Sequence, residues 1–343
     1  MDLPGACATS LLGPVRVARY RADVDAVVPA RVVPRGAASP PGLPVSSASA
    51  GYKVAPYLYE WGAAIDPVVV MQATGVRVFT LAFVLAAPDG DTPNWDGGST
   101  NLLSGNYWTL TQKIRSAGGD VIASSGGATS SLSLEVNAAS ASTLSAAYLK
   151  VIDAYGLKAF DVNLEGGALA AAAVQDKTLA ALRLVKAARP DVQLIVTIPV
   201  GPAGARSDGL RLIKQAAAGG SPVDVWSAMT FDFGTSATNM STATLNASEA
   251  LHAQLRRVFP AETDTALYAA QGISTMNGVT DTGEVVTLAN AQDITAYAAS
   301  HTLGRLTFWA VNRDRPGTDA GTSASGISHS PWAFTSTFAR YTG

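Results

Sequence analysis

One cysteine, Cys7, is all that 343 residues contain, which excludes an intramolecular disulfide and a thiol-rich metal centre. Histidine is nearly as scarce. His252, His301 and His329 lie far apart in the chain without metal-ligand spacing, so metal catalysis is not expected and no cofactor is called for. Charge is sparse too: 15% of residues are charged and the formal net charge is -2, with no Lys/Arg cluster to supply the basic stripe that nucleic-acid binding uses. No apolar run approaches the roughly 20 residues that cross a bilayer. Nucleic acid and membrane are therefore not expected partners. What is present is a 48% hydrophobic chain, with ample material for one large domain or two small ones.

Residues 1–50 are rich in Pro, Ala, Gly and Arg without periodicity, and Arg16, Arg19 and Arg21 interrupt the one candidate apolar stretch. No tidy secretion signal is visible. The segment reads as a flexible leader ahead of a single domain over 51–343. From residue 52, strand-length apolar runs alternate with helical patterns, the signature of repeated βα units and a parallel sheet. Eight strands are predicted, over 53–59, 76–86, 120–126, 159–165, 192–200, 223–233, 266–275 and 306–312. Intervening segments such as TLSAAYLKVIDAYG and ASEALHAQLRRVF are apolar at helical spacing, and several stop at Gly or Pro. Eight alternations over about 290 residues suit a (β/α)8 barrel, typically about 250 residues long. A doubly wound open sheet is the weaker alternative.

In such a barrel, chemistry collects at the C-terminal ends of the strands. That rule selects Tyr57, Glu60 and Trp61 after the first strand; Ser124, Gly126 and Gly127 after the third; Asp161, Asn163 and Glu165 on the fourth; Met229 and Asp232 on the sixth; and Trp309 and Asn312 on the eighth. The fourth-strand run FDVNLEGG is the most informative. Alternation puts Asp161, Asn163 and Glu165 on one face, and steps of about 6.6 Å leave Asp161 deepest and Glu165 at the mouth. Polar groups inside a barrel cost free energy unless hydrogen-bonded. An acid, an amide and an acid there are either a network that fixes strand register or a tuned acid. In the second case a partly desolvated Asp161, bonded through Asn163 or directly to an acidic substrate group, helps hold Glu165 protonated near neutrality, as a general acid must be.

These residues carry a resemblance. Over roughly 52–315 the chain resembles glycoside hydrolase family 18, specifically bacterial chitinases of actinobacterial type. KAFDVNLE fits the last five positions of the family's D-x-x-D-x-D-x-E with one substitution. SSGG (124–127), MTFDFG (229–234), GISTMNGVTD after the seventh strand and FWAVNRD (308–314) match at the corresponding barrel positions. The resemblance implies an endo-acting, retaining chitinase on chitin or another GlcNAc-containing glycan, in which the substrate's own 2-acetamido group replaces an enzyme nucleophile. Glu165 would be the acid and base, supported by Asp161, Asn163 and Asp232. Trp309 would floor the sugar, with Tyr57, Met229, Ser124, Gly126, Gly127 and Trp95 as further binding positions. Trp95, in the loop TPNWDGG, reads as an exposed stacking contact, whereas Trp226, inside a strand, reads as packing. Asp232 either bonds the substrate or caps a loop, and Ser124 either joins the Asp161 network or serves its Gly-Gly turn. No second catalytic carboxylate is evident at the mouth. Relatives are secreted, so an extracellular monomer is expected.

Four positions depart from the family. Lys158 replaces the first Asp of the signature, and Asn163 replaces the usual acid two residues before Glu165. Asn can orient an acetamide N–H but cannot neutralise the positive charge that develops on the ring, a loss on the order of 2–4 kcal/mol. Slow hydrolysis, or a bias towards transfer to sugar acceptors, is expected. Phe231 and Phe233 stand where relatives often carry a Tyr. Together these motivate an alternative, a sugar-binding barrel with little turnover. A third reading, SSGG as a phosphate cradle, lacks the Lys or Arg wanted beside the glycines.

Overall fold

The apolar runs become eight parallel strands in chain order: β1 (Tyr57–Leu58), β2 (Val78–Ala86), β3 (Asp120–Gly126), β4 (Ala159–Asn163), β5 (Gln193–Gly201), β6 (Val225–Met229), β7 (Gln271–Met276) and β8 (Arg305–Trp309). This computed structural model describes residues 42–43 and 52–343, apart from 63, 97, 235–238 and 318–319. Each strand pairs with the next. A parallel bridge between Val54 and Leu306 joins the two ends, where Leu306 N–H donates to Lys53 O at 2.8 Å. The architecture is the expected (β/α)8 barrel. The expected leader lies outside the described residues except at Gly42 and Leu43, and Leu43 N–H donates to Glu262 Oε1 at 2.8 Å.

Helices Pro67–Thr74, Gly105–Ser116, Ala141–Tyr155, Ala172–Ala188, Ser207–Ala218, Met240–Val258 and Leu288–His301 follow the first seven strands, and Ala333–Phe338 follows β8. Local sequence sets their ends. Asp66 accepts the Val68 N–H ahead of Pro67, and Ser140 accepts that of Thr143, supplying acceptors that a helix start lacks.

Alternation along the strands builds the barrel interior in layers. The lowest is apolar: Ala55, Val78, Ile122, Ala159, Ile195 and Val225. Two residues further along the same strands stand Tyr57, Thr80, Ser124, Asp161, Thr197 and Ser227, all buried. Arg305 of β8 is also buried there and donates from Nη2 to Thr80 Oγ1 at 2.6 Å. Its stem fits because the neighbouring position on β7 is Gly272, where a Cβ would stand 2.8 Å from that of Arg305. A polar layer thus supports the C-terminal mouth.

Several expected boundaries differ: the first strand keeps only Tyr57–Leu58 of 53–59, the eighth ends at Trp309 before the turn Val311–Arg313, and three others shift residues near the site. The run ALYAA, placed in the seventh strand, belongs to helix Asp264–Ala269, started by Thr263 accepting the Ala266 N–H. The sixth strand ends at Met229, before Asp232 turns with φ 54°. The fourth stops at Asn163, and Glu165 takes the extended position that opens the short helix Gly166–Ala170.

Candidate functional site

Above the polar layer the barrel mouth holds a cavity of about 160 Å³. Tyr57, Asn163, Glu165, Thr197, Met229, Asp232 and Trp309 line it, with Phe83, Ala128, Phe231, Ser274 and Asp281.

Strand β4 supplies Asp161 beneath the cavity, and Glu165 follows just after its end. Asp161 is fully buried and accepts three hydroxyl donors: Tyr57 at 2.8 Å and Ser124 at 2.6 Å on Oδ2, and Thr197 at 2.7 Å on Oδ1. Those donors replace the water a carboxylate loses on burial. Burial, with the charge of Asp161 adding to it, pushes the Tyr57 phenol well up, so it stays a donor. Ser124 therefore joins the network rather than only serving its turn.

Asn163 turns towards the mouth, where its Nδ2 donates to Glu165 Oε1 at 2.8 Å. Among the described residues its buried Oδ1 has no hydrogen-bond partner. Asp161 is therefore bonded to hydroxyls rather than through Asn163, and the fourth-strand series is two linked sets, not one ladder. The Asn163 main-chain oxygen accepts the Gly127 N–H at 3.0 Å. This approach requires glycine. Gly126 has φ 100° and Gly127 φ 88°, and a Cβ would stand 2.2 Å from Asn163 O at the first and 2.7 Å from the Phe83 ring at the second. The two glycines shape the site from behind.

Burial lifts the Glu165 carboxyl to about 7; the charges of Asp232, Asp281 and Asp161 add to this and the Asn163 hydrogen bond opposes it. Asp232 accepts the Thr282 N–H at 3.2 Å, and its carboxyl is raised by burial and then by Asp281. The mouth thus carries two carboxylates besides Glu165, of which Asp232 was expected there. Asp281 was not singled out: it stands on the exposed tip between the short strands Gly278–Val279 and Val285–Val286.

Trp309 forms one wall within an aromatic stack. Phe83 lies parallel to it at 5.6 Å, Tyr59 at 4.9 Å, and Trp61, 36% exposed, stacks on Tyr59 at 4.2 Å. Phe83 had no signal in a strand whose one polar residue, Thr80, faces the interior; the β2 register against β3 shifts between Ala82 and Val84, which turns it to the mouth. Beyond this stack, two adjoining cavities share Trp61 and Asp96, and the farther one adds Glu60 and Tyr107. Asn312 clamps the Tyr59 backbone, accepting its N–H at 3.1 Å and donating to its oxygen at 2.9 Å.

Trp95 differs from its expected exposure. It sits on the short strand Pro93–Trp95 paired to β2, is 6% exposed, stacks on Tyr107 at 4.3 Å and donates Nε1–H to Tyr155 at 2.8 Å. It borders the far cavity, not the one at Glu165. Trp226 is buried packing. Phe231 lines the Glu165 cavity, whereas Phe233 packs towards the core. His252 and His301, distant in sequence, both lie against Tyr268, at 3.8 and 4.5 Å. Among the described residues no helix is long and apolar enough to cross a membrane.

No protein-family model matches the chain. It is 29% identical over 290 residues to the probable bifunctional chitinase/lysozyme of Escherichia coli (strain K12), a match covering 78% of this chain and 32% of that protein. The chain spans about a third of that relative's length. The crystal structure of the catalytic domain of a hyperthermophilic chitinase from Pyrococcus furiosus superposes with a TM-score of 0.77 at 30% identity, covering 88% of this chain and 97% of that one. A GH18 chitinase from Pseudoalteromonas aurantia, at 13% identity and a TM-score of 0.53 over 77% of this chain and 95% of that one, shares the fold.

Proposed function

The chain belongs to glycoside hydrolase family 18, and from that premise we propose that it cleaves chitin or another GlcNAc-containing glycan by a retaining, substrate-assisted mechanism with Glu165 as general acid and base. One observation carries this: a half-buried carboxyl lifted to about 7 stands in a cavity walled by an indole and bonded to an amide whose oxygen lacks a partner. A general acid must hold its proton at working pH and stand within reach of the leaving oxygen.

The steps follow from these groups. A sugar packed against Trp309 presents its glycosidic oxygen to Glu165, which donates its proton as the C1–O bond breaks and the bonding pair leaves with that oxygen. The acetamide carbonyl oxygen of the same sugar bonds to C1, giving a cyclic oxazolinium ion. Asn163 Oδ1 accepts the acetamide N–H and so gains its missing partner. Glu165, now a carboxylate stabilised by the Asn163 Nδ2 donor, takes a proton from water as the water oxygen attacks C1. The ring opens, the acetamide is restored and configuration is retained. Asp161 holds its strand in register and adds negative charge beneath Glu165.

Asn163 supplies orientation without charge, which supports slow hydrolysis or transfer to sugar acceptors. The row of adjoining cavities past Trp309 and Trp61 supports endo cleavage of a long chain. The five sequence motifs support a bacterial chitinase of actinobacterial type, acting outside the cell as a monomer, with residues 1–50 as its leader and 51–343 as its catalytic domain. The test is hydrolysis of a chitooligosaccharide series with products resolved by mass. Wild type cuts, and Glu165→Gln loses on the order of 10²–10⁴-fold. Uncut sugars that nevertheless bind wild type would establish the binding-protein alternative that Asn163 and Phe231 motivate, and undiminished cutting by Glu165→Gln would remove its assigned role.

A further inference from the structure

Among the described residues that line the Glu165 cavity, Asp281 is a carboxylate to which the steps above give no part. It lines the Glu165 cavity from a hairpin tip held on several sides. Thr280 N–H donates to Glu284 O at 2.8 Å, the Thr280 and Thr282 hydroxyls both bond Glu284 Oε2, and Thr282 N–H reaches Asp232 Oδ1 at 3.2 Å. Behind the hairpin, the Arg313 guanidinium donates to the main-chain oxygens of Asn277, at 3.1 Å, and Val279. The Asp281 carboxylate itself makes no hydrogen bond or ion pair among the described residues. Its described neighbours fix the tip and, among themselves, leave the acid unengaged.

We propose that Asp281 supplies, from the facing side of the cavity, the negative charge that Asn163 cannot give to the cationic sugar intermediate. This rests on the substrate-assisted reading above. The charge that forms at C1 and the acetamide needs an anion nearby, and Asn163, at the position adjoining Glu165, is neutral. The other anions are committed: Asp161 accepts three buried hydroxyls, and Asp232 accepts Thr282. A sugar filling the cavity displaces water from between Asp281 and the reacting carbon, which strengthens the attraction. The charged and titratable groups around Glu165 are Asp161 on β4, Tyr57 on β1, Asp232 after β6, and Asp281 on the hairpin, with Arg313 behind it. Asp281 adds to the upward pull on the Glu165 carboxyl, an independent sign that the two feel each other.

The experiment is a double-mutant cycle. Turnover and KM on a chitooligosaccharide are measured against pH for wild type, Asp281→Asn, Asn163→Asp and the double variant, with Glu165→Gln alongside and melting curves to verify folding. Asp281→Asn is expected to lower kcat roughly tenfold, within the range for coupled neighbours, and to leave KM nearly unchanged. In the Asn163→Asp background the same substitution costs under about twofold, because the charge is then supplied at the Asn163 position. The alkaline limb of Asp281→Asn moves to lower pH, since an anion that raised Glu165 is gone. Equal losses in both backgrounds, or a loss confined to KM, overturn the role of Asp281 while leaving Glu165 in place. No turnover by wild type, or unchanged turnover by Glu165→Gln, overturns both.

Discussion

Replacing Asn163 with Asp converts the donor 2.8 Å from Glu165 Oε1 into a second carboxylate at the same contact. Two effects on Glu165 then share a sign. The hydrogen bond that lowers its pKa is lost, and a negative charge is added. In the wild type the active, protonated form of Glu165 drains away as pH rises through about 7. In the variant the pair holds one proton to higher pH, so the alkaline limb of kcat/KM moves up by on the order of one unit or more. The restored charge should also stabilise the oxazolinium-like transition state by about 2–4 kcal/mol, or roughly 30- to 1,000-fold in rate. Initial rates on a fluorogenic chitobioside between about pH 4 and 9 report both quantities. A limb that stays put or moves down, or a rate that falls while the melting curve is unchanged, would refute the assignment of Asn163 as the weakened member of this site.

Three further substitutions probe the scaffold. Ser124→Ala removes one of three hydroxyls from buried Asp161, and chemical denaturation should show a loss of about 1–3 kcal/mol. Gly126→Ala meets main-chain oxygen rather than a movable side chain, at a φ of 100°, and should cost at least about 2 kcal/mol by the same measurement. Asp96 has its carboxyl raised from 3.8 to about 6 by burial. An acid raised on folding contributes stability at low pH that is lost as pH climbs from its unfolded value to its folded one, here between about 4 and 6. Asp96→Asn should therefore gain about 1 kcal/mol at pH 8, after discounting for partial exposure, and nothing at pH 3. The backbone favours it, because φ is 50° and Asn tolerates that region. Thermal melting at the two pH values distinguishes this from a uniform effect.

The site residues that were legible in the sequence are those fixed by period-two alternation on a strand with few polar positions. Asp161 and Asn163 could face only one way, and the barrel rule placed Ser124, Met229 and Trp309 at the same end. Phe83 was illegible because Thr80 is the one polar residue of VFTLAFVLA, and counting by twos from it puts the ring on the outer face, whereas the register shift brings it to the mouth. Trp95 misled because WDGG has turn composition, while the partner that draws its indole inward, Tyr155, is distant in sequence. Asp281 closes the matched run GISTMNGVTD, but alternation gives a loop acid no facing direction, and it joins the site only when the hairpin after β7 folds towards β6. ALYAA fits either a short strand or a helical turn, and Thr263 as a cap decided it.

The barrel's seam bears on how this protein fails when heated. β1 is two residues long, and its join to β8 depends on the Val54–Leu306 bridge, a Thr307 hydroxyl on Ala55 O at 2.7 Å and the Asn312 clamp on Tyr59. Yet Tyr57, carried on that strand, is one of the three groups that keep Asp161 satisfied. A local opening along this join frees Tyr57 before the other seven strands separate, because few bonds hold it. On the proposed mechanism, loss of activity and loss of fold are then expected at different temperatures, with activity falling while the chain is still folded and returning on cooling when the seam closes.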